Sequence, residues 1–357
     1  ADPSDLLAIA AADDERIRIV LLPENGGTYR ARNVGLALAA GEFVTFHDSD
    51  DWAHPRRTES QARVLAQDPG AIVTLGEAIR LNPNLELTSI GQQTRRPNAS
   101  SLMFVREAVL ARVGFMDESR KGADSEYHLR IEHAFQKHAR RVDNAAYSII
   151  RLNPGSLSRA EFRPGWHHPA RRSYRAAYNR LHERITKGED PFFPRNGEPR
   201  FPRPRRFSGG RARRDFDVVF MGDWRILGGP QRSMLEEITA LRGMGLRVGY
   251  AQMESFRFMM EKMWPPCGPI LGLLESGVVE EVLLDDPTSI DLLIVRYPPV
   301  LQFAPSERSR WDVENVWIVA NQAPSEPDGS DARYDPVDCS IGARQLFDTH
   351  PLWIPQG

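Results

Sequence analysis

Gly41-Glu-Phe-Val-Thr-Phe-His-Asp-Ser-Asp-Asp-Trp52 decides how this chain folds, because an apolar run there ends abruptly in acidic residues. Phe43 to Phe46 are the β-branched and aromatic types that suit a buried strand. In an open α/β sheet, ligands lie outside the carboxyl ends of the strands, so Asp48, Ser49 and Asp50 are expected at that edge. Two carboxylates one residue apart can hold a hard divalent cation, Mn2+ or Mg2+, and leave its remaining positions to water and phosphate oxygens. Acidic clusters at strand ends also occur as solvated turns, and the spacing alone does not choose. His47 and His54 flank the turn, where each is either a metal assistant or a bystander.

Outward from this stretch the pattern is α/β. Leu6 to Ala12 reads as a helix and Arg16-Ile-Arg-Ile-Val-Leu-Leu22 as a strand entering a buried sheet. Asn25-Gly-Gly27 is a turn signal with positive φ open to its glycines. Thr28 is placed to cap the next helix and Gly41 to end it, with Val34, Leu36 and Leu38 packing on the sheet. After Pro55 a helix runs to about Gln67, then Ala71 to Leu75 and Ala99 to Val105 read as strands, and Arg106 to Val113 as a helix closed by Gly114. The whole run from Asn25 through Ala31-Arg-Asn33 and Gly41-Glu-Phe43 to Asp48-Ser-Asp-Asp51 and Pro55 resembles the family 2 glycosyltransferases. That resemblance implies the GT-A fold, a Rossmann-like domain, and a nucleotide-diphospho-sugar donor. It places Arg32 near the nucleotide, although a solvated salt bridge would use the same residue. The family normally has an earlier strand and a nucleobase loop, so an N-terminally incomplete domain is expected.

The second chemical constellation is Gly114-Phe-Met-Asp-Glu-Ser-Arg-Lys-Gly-Ala-Asp-Ser-Glu-Tyr-His-Leu-Arg130. Leu129, Ile131, Ala134 and Phe135 form a helical apolar face, which puts Asp124 and Glu126 in the cap and first turn. Acids there complement the helix dipole. In the resembling family, a carboxylate after a Gly-Phe-Asp-Glu turn is the general base that deprotonates the acceptor hydroxyl. The match gives Asp124 that role and Glu126 a positioning or capping one, although Ala-Asp stands here for the commoner Glu-Asp. Direct displacement with one base implies inversion at the anomeric carbon. Tyr147 to Arg159 resembles the family's closing strand and Gly-Ser-Leu-Ser loop, where Arg151, Ser156 and Ser158 could donate to phosphate oxygens or form an ordinary Pro-Gly turn.

The 357 residues allow about two domains, and a net charge of −2 argues against a protein devoted to nucleic acid. Only two cysteines occur, Cys267 and Cys339, in no close metal-type spacing, so neither a disulfide framework nor a zinc knuckle is indicated and a reducing, cytoplasmic setting is expected. No apolar run approaches the roughly 20 residues of a membrane span. Residues 1–165 are expected as the GT-A domain, 166–214 as an arginine- and proline-rich helix and linker, and 215–357 as a second Rossmann-like domain. The linker's arginines are a solvated face or a surface for an anionic partner, such as lipid headgroups beside a lipid-linked glycan acceptor. In the second domain Asp217 to Met221, Arg247 to Ala251, Glu280 to Leu284, Ile290 to Val295 and Val316 to Ala320 read as strands, with a helix over Gln231 to Arg242. Gly228-Gly-Pro230 before that helix and Asn321-Gln-Ala-Pro324 after a late strand resemble the N-terminal half of a GT-B glycosyltransferase, so the chain is expected to stop before a donor-binding half.

The expected function is therefore metal-dependent, inverting transfer of a sugar to an acceptor hydroxyl in surface glycan or polysaccharide synthesis. The alternative is a non-catalytic sugar-nucleotide-binding or assembly module of a larger tandem enzyme. A phosphoryl-transfer enzyme with Asp-x-Asp-x-Thr ranks far lower, because Trp52 stands at the threonine position.

Overall fold

The computed structural model describes residues 14–88, 93–152, 162–163, 166–210, 212–256 and 264–356. It divides into two compact units, Ala1–Ser156 with Arg184–Glu198 and Leu157–Glu183 with Pro199–Gly357. The helix expected over Leu6 to Ala12 lies outside the described residues.

The first unit contains α1 (Thr28–Leu38), β1 (Phe43–Thr45), β2 (Trp52–Ala53), α2 (Arg57–Gln67), β3 (Val73–Leu81), β4 (Arg95–Pro97), β5 (Met103–Val105), α3 (Arg106–Arg112), α4 (Ala123–Phe135) and β6 (Arg140–Arg151). Its sheet has the order β1-β5-β3-β6-β2, with β4 beside β3. The sheet is mixed rather than purely parallel. β3 and β6, separated by the helices α3 and α4, run parallel, while β4 runs antiparallel to β3. β5 is antiparallel to both β1 and β3. Leu36, Val44, Val73, Phe104, Val109, Tyr127 and Ile131 form the core.

Several local expectations shift. Arg16 to Leu22 is not a strand, and Ile17, Ile19, Val20 and Leu21 are exposed, so the apolar pattern there has no ladder to join among the described residues. Gly27, at φ 89°, precedes α1 in the position expected of Thr28, and Ala39 rather than Gly41 ends it. Ala99–Ser101 is a short 3-10 turn before β5.

The second unit contains β7 (Phe162–Arg163), β8 (Trp166–His167), α5 (Pro169–Thr186, whose last residues count with the first unit), α6 (Arg205–Ser208), β9 (Arg214–Gly222), α7 (Gly229–Gly243), β10 (Val248–Gln252), α8 (Gly268–Glu275), β11 (Glu280–Glu281), β12 (Thr288–Val295), α9 (Pro299–Gln302), β13 (Trp311–Ala320), α10 (Pro336–Phe347) and β14 (Leu352–Pro355). Its main sheet has the order β11-β10-β9-β12-β13-β14, and every neighbouring pair is parallel. Counted in chain order this is 3-2-1-4-5-6, the doubly wound Rossmann arrangement. β9 is covered on both faces, as a parallel strand must be: Val218 and Phe220 pack with Met234, Ile238 and Ile270, while Val219 and Met221 pack with Cys339, Ala343 and Leu346.

The stretch expected as an extended linker is instead anchored by aromatic side chains. Phe193, Phe201 and Phe207 are buried. Phe193 exchanges backbone hydrogen bonds with Val113 and Phe115 in the first unit, both at 2.9 Å. Phe201 and Phe207 each lie 5.4 Å from the Tyr174 ring in the second. Among the described residues no helix is long and apolar enough to cross a membrane.

Candidate active site

α1 organises the first unit's chemistry through residues spaced three and four apart, which share a face. Arg32 Nη2 donates to Asp48 Oδ1 at 2.5 Å, and its side chain is only 8% exposed. The guanidinium lies 5.0 Å from the Phe46 ring centroid and 5.5 Å from that of Tyr29, and its Nη1 is buried without an acceptor. The structure thus shows Arg32 in a salt bridge, with the guanidinium buried against aromatic faces and the Asp48 side chain 31% exposed. Asn33 is buried, with its amide nitrogen 3.0 Å from Met116 O and 3.2 Å from Glu118 Oε1, while its oxygen accepts from Met116 N at 2.9 Å. These bonds fix the turn that leads into α4.

At the start of α4, Asp124 accepts from the Ser100 hydroxyl at 3.3 Å and from Ser125 N at 2.8 Å. The buried Tyr29 hydroxyl also meets Asp124, through both its carboxylate and its backbone N–H. Burial first, and then the Asp124 charge, push the Tyr29 phenol above its ordinary value, so Tyr29 stays a proton donor. α1 therefore touches the acidic turn through Arg32, the Asp124 helix through Tyr29, and the turn before that helix through Asn33.

Arg151, at the end of β6, reaches the acidic turn from about 100 residues away. Its Nε donates to Asp50 O at 2.6 Å and its backbone N to Asp51 Oδ1 at 3.2 Å. Asp50 itself is exposed. Burial is the main cause that pushes the Asp51 carboxyl up to about 6; the Arg151 N–H opposes this, and the charges of Asp48 and Asp50 add to it. The turn thus gathers Asp48, Asp50 and Asp51 beside the cations of Arg32, Arg151 and Arg80. An all-oxygen donor set of this kind fits Mg2+ or Mn2+. Among the described residues no three His, Cys, Asp or Glu side chains gather to hold an ion by themselves. A metal at Asp48 and Asp50 would complete its shell with water and ligand oxygens.

Not every expected residue joins the site. His54 Nδ1 accepts from Arg56 N at 3.1 Å, and its ring sits edge-on to Trp52 and Tyr147. His47 is exposed. Glu126 lies in the first turn of α4, as expected. It is fully buried and paired with Arg130, Nε to Oε1 at 2.7 Å, because the buried face of α4 runs through Tyr127, Arg130 and Ile131. Ser156 and Ser158 lie outside the described residues. Tyr29, Ser100 and Asp51 were missed. The helical spacing of Tyr29 to Arg32 and Asn33 carried the signal for the first; Ser100 offered none.

Residues 2–104 match the family model of glycosyl transferase family 2. The matched residues all lie in the first unit, whose architecture is α/β. Among curated proteins the chain is similar to an uncharacterized glycosyltransferase of Haemophilus influenzae, 38% identical over 55 residues, which is 15% of this chain and 22% of that protein. It is also similar to the succinoglycan biosynthesis protein ExoO of Rhizobium meliloti, 32% identical over 94 residues, 24% of this chain and 27% of that protein. The chain thus spans about a quarter of the length of the curated relatives it matches. Among solved structures it is similar to S. aureus TarS 1–349 in complex with UDP-GlcNAc, with a TM-score of 0.37 and 15% identity, covering 52% of this chain and 54% of that one.

Proposed function

We propose that the first unit transfers a glycosyl group from a nucleotide-diphospho-sugar to an acceptor hydroxyl, with inversion, in the synthesis of a surface glycan or polysaccharide. The observation that carries this reading is α1, whose neighbouring turns hold the acidic turn and Asp124 against a single helix. Asp124 accepts the acceptor's proton as the new bond forms, while Tyr29 and Ser100 orient its carboxylate. Arg32, with a donor to spare, and Arg151 at the turn favour phosphate oxygens. A Mn2+ or Mg2+ ion held by Asp48 and Asp50 would supply neutralisation of the leaving diphosphate's charge. Ser156 is assigned to the same diphosphate by resemblance only.

The second unit, with its 3-2-1-4-5-6 parallel sheet, supports reading it as the GT-B-type half of a tandem enzyme. A cytoplasmic location, with peripheral contact to an anionic membrane surface, accords with a lipid-linked acceptor.

The test is release of nucleoside diphosphate from a panel of nucleotide sugars with Mn2+ or Mg2+, using the full chain beside Asp50→Ala and Asp124→Asn. Metal-dependent turnover that disappears in both variants, with donor binding retained in Asp124→Asn, is the expected result. Donor binding without turnover in every protein would make this a binding module.

A further inference from the structure

Immediately beyond the acidic turn, Trp52 presents its indole to solvent, 47% exposed. β1 and β2, the strands on either side of that turn, stand at opposite ends of the order β1-β5-β3-β6-β2, so the turn crosses the sheet and delivers Trp52 on the far side. A single apolar side chain on a surface is ordinary and calls for no explanation. What sets Trp52 apart is how firmly its exposed ring is held.

The backbone is pinned first. Trp52 pairs with Ile149 and Ala53 with Ser148 across β2 and β6, while Arg151, further along β6, holds Asp50 O and Asp51 Oδ1. The ring is pinned as well. His54 meets it edge-on at 6.0 Å and 89°, and the same imidazole lies edge-on to the buried Tyr147 at 5.7 Å. His54 N donates to Tyr147 O at 2.8 Å, and its Nδ1 accepts from Arg56 N at 3.1 Å. The Tyr147 hydroxyl in turn donates to Asp143 Oδ2 at 2.6 Å and accepts from Ser60 at 3.1 Å. The indole has therefore lost its rotamer freedom on folding, before any ligand arrives, which is the condition for a pre-organised contact.

An indole offers an electron-rich apolar face and one N–H at its rim. Among the described residues that N–H has no acceptor. The complementary shape is a pyranose ring, whose C–H groups form an apolar, weakly positive patch on one side while its hydroxyls lie at the edge, within reach of an N–H donor. A donor sugar is gripped through its charged diphosphate; a neutral saccharide acceptor has no such handle and needs a face to lie on. We propose that Trp52 is the platform on which the sugar ring of the acceptor stacks, so that this unit extends an existing saccharide rather than starting one on a bare hydroxyl. The assignment to the acceptor rests on the transferase reading of the first unit; the binding of a sugar ring to Trp52 does not.

The experiment has two arms on the full chain. In the first, methyl glucoside, methyl galactoside and methyl N-acetylglucosaminide are titrated without donor, and the fluorescence of the parent is compared with that of Trp52→Phe, which separates Trp52 from the rest of the chain's seven tryptophans. At least one glycoside is expected to change the Trp52 emission saturably at millimolar concentration. In the second, that glycoside serves as acceptor with the donor panel and Mn2+ or Mg2+. Trp52→Ala should raise the acceptor KM about three- to tenfold, the range of one aromatic contact, and lower kcat at saturating acceptor by less, with Trp52→Phe recovering most of the loss. The proposal is overturned if every glycoside leaves the Trp52 emission unchanged, if the acceptor KM of Trp52→Ala matches the parent, or if the donor KM rises in its place. No transfer by the parent to a glycoside that does bind would refute the transferase reading and leave the sugar site at Trp52 standing.

Discussion

Arg130 is the residue whose loss the first unit should tolerate least. It and Glu126 are both 0% exposed. Its Nε and Nη2 reach Glu126 at 2.7 and 3.2 Å, Nη1 reaches Val113 O at 2.7 Å and Pro191 O at 3.1 Å, and Nη2 reaches Phe115 O at 2.8 Å. The Phe193 ring lies 3.5 Å beneath the guanidinium. Arg130→Met keeps the volume and removes the charge, which strands Glu126 in the core; breaking a buried pair in this way costs about 3–5 kcal/mol. The three carbonyls lose their donor as well, each worth about 1–3 kcal/mol if it stays dry. Against a total stability of about 5–15 kcal/mol, that sum brings the unit to the edge of unfolding. In Glu126→Leu/Arg130→Met the stranded charge is gone, so most of the pair's cost should return and the carbonyl loss remain. The assay is hydrogen exchange through a urea series, following peptides of β6, with peptides of β9 as the internal control for the second unit. A single variant within about 1 kcal/mol of the parent, or a double variant no better than the single, would refute this account of the core.

Two further outcomes concern the site. Tyr29→Phe removes the hydroxyl that meets the Asp124 carboxylate, so kcat should fall about tenfold, the worth of roughly one hydrogen bond, with the donor KM little changed. A purely structural role would instead lower the urea midpoint and raise KM together with the loss of kcat. Asp51, raised to about 6 from 3.8, contributes stability while protonated: that contribution is complete below the ordinary value and lost as pH rises through about 6. Asp51→Asn still offers an oxygen to Arg151 N, so between about pH 4 and 7 the parent should lose about 1 kcal/mol relative to the variant, allowing for the carboxylate's partial exposure. Urea midpoints across that range measure it, and parallel pH curves would contradict the assigned cause.

The parts legible in the sequence were those with a period or a spacing. The strands of the second unit, buried on both faces, announced themselves as apolar runs, and Gly228-Gly-Pro230 opens α7 where expected, with Gly228 N on the Gln231 side chain at 3.1 Å. No local signal reveals that Arg32 meets Asp48, Ser100 meets Asp124 or Arg151 meets the acidic turn, because each contact crosses a long separation in the chain. Arg16 to Leu22 had the composition of a strand but pairs with no strand among the described residues, and pairing is not encoded in a single segment. Glu126 stands in the first turn of its helix as its spacing indicated, and its burial depends on Arg130 one turn later, which carries the acid inward. The linker misled because its prolines and arginines hid the aromatic anchors at Phe193, Phe201 and Phe207.

Those anchors also bear on how the protein is made. The first unit is discontinuous in sequence, because Arg184–Glu198 belongs to it while the intervening Leu157–Glu183 belongs to the second. On a ribosome, which delivers chain from the N-terminus at about 5–20 residues per second, the sheet of the first unit is synthesised before the strand-like contact between Gly114 and Phe193 is available. Gly114, at φ 71°, would meet the Phe193 carbonyl at 2.2 Å from an added Cβ, so the later segment fits only against bare backbone. Until it arrives, Arg130 lacks its Pro191 acceptor and its Phe193 ring. The nascent domain must therefore wait, with its central ion pair half-dressed, for the next stretch of polypeptide to complete it.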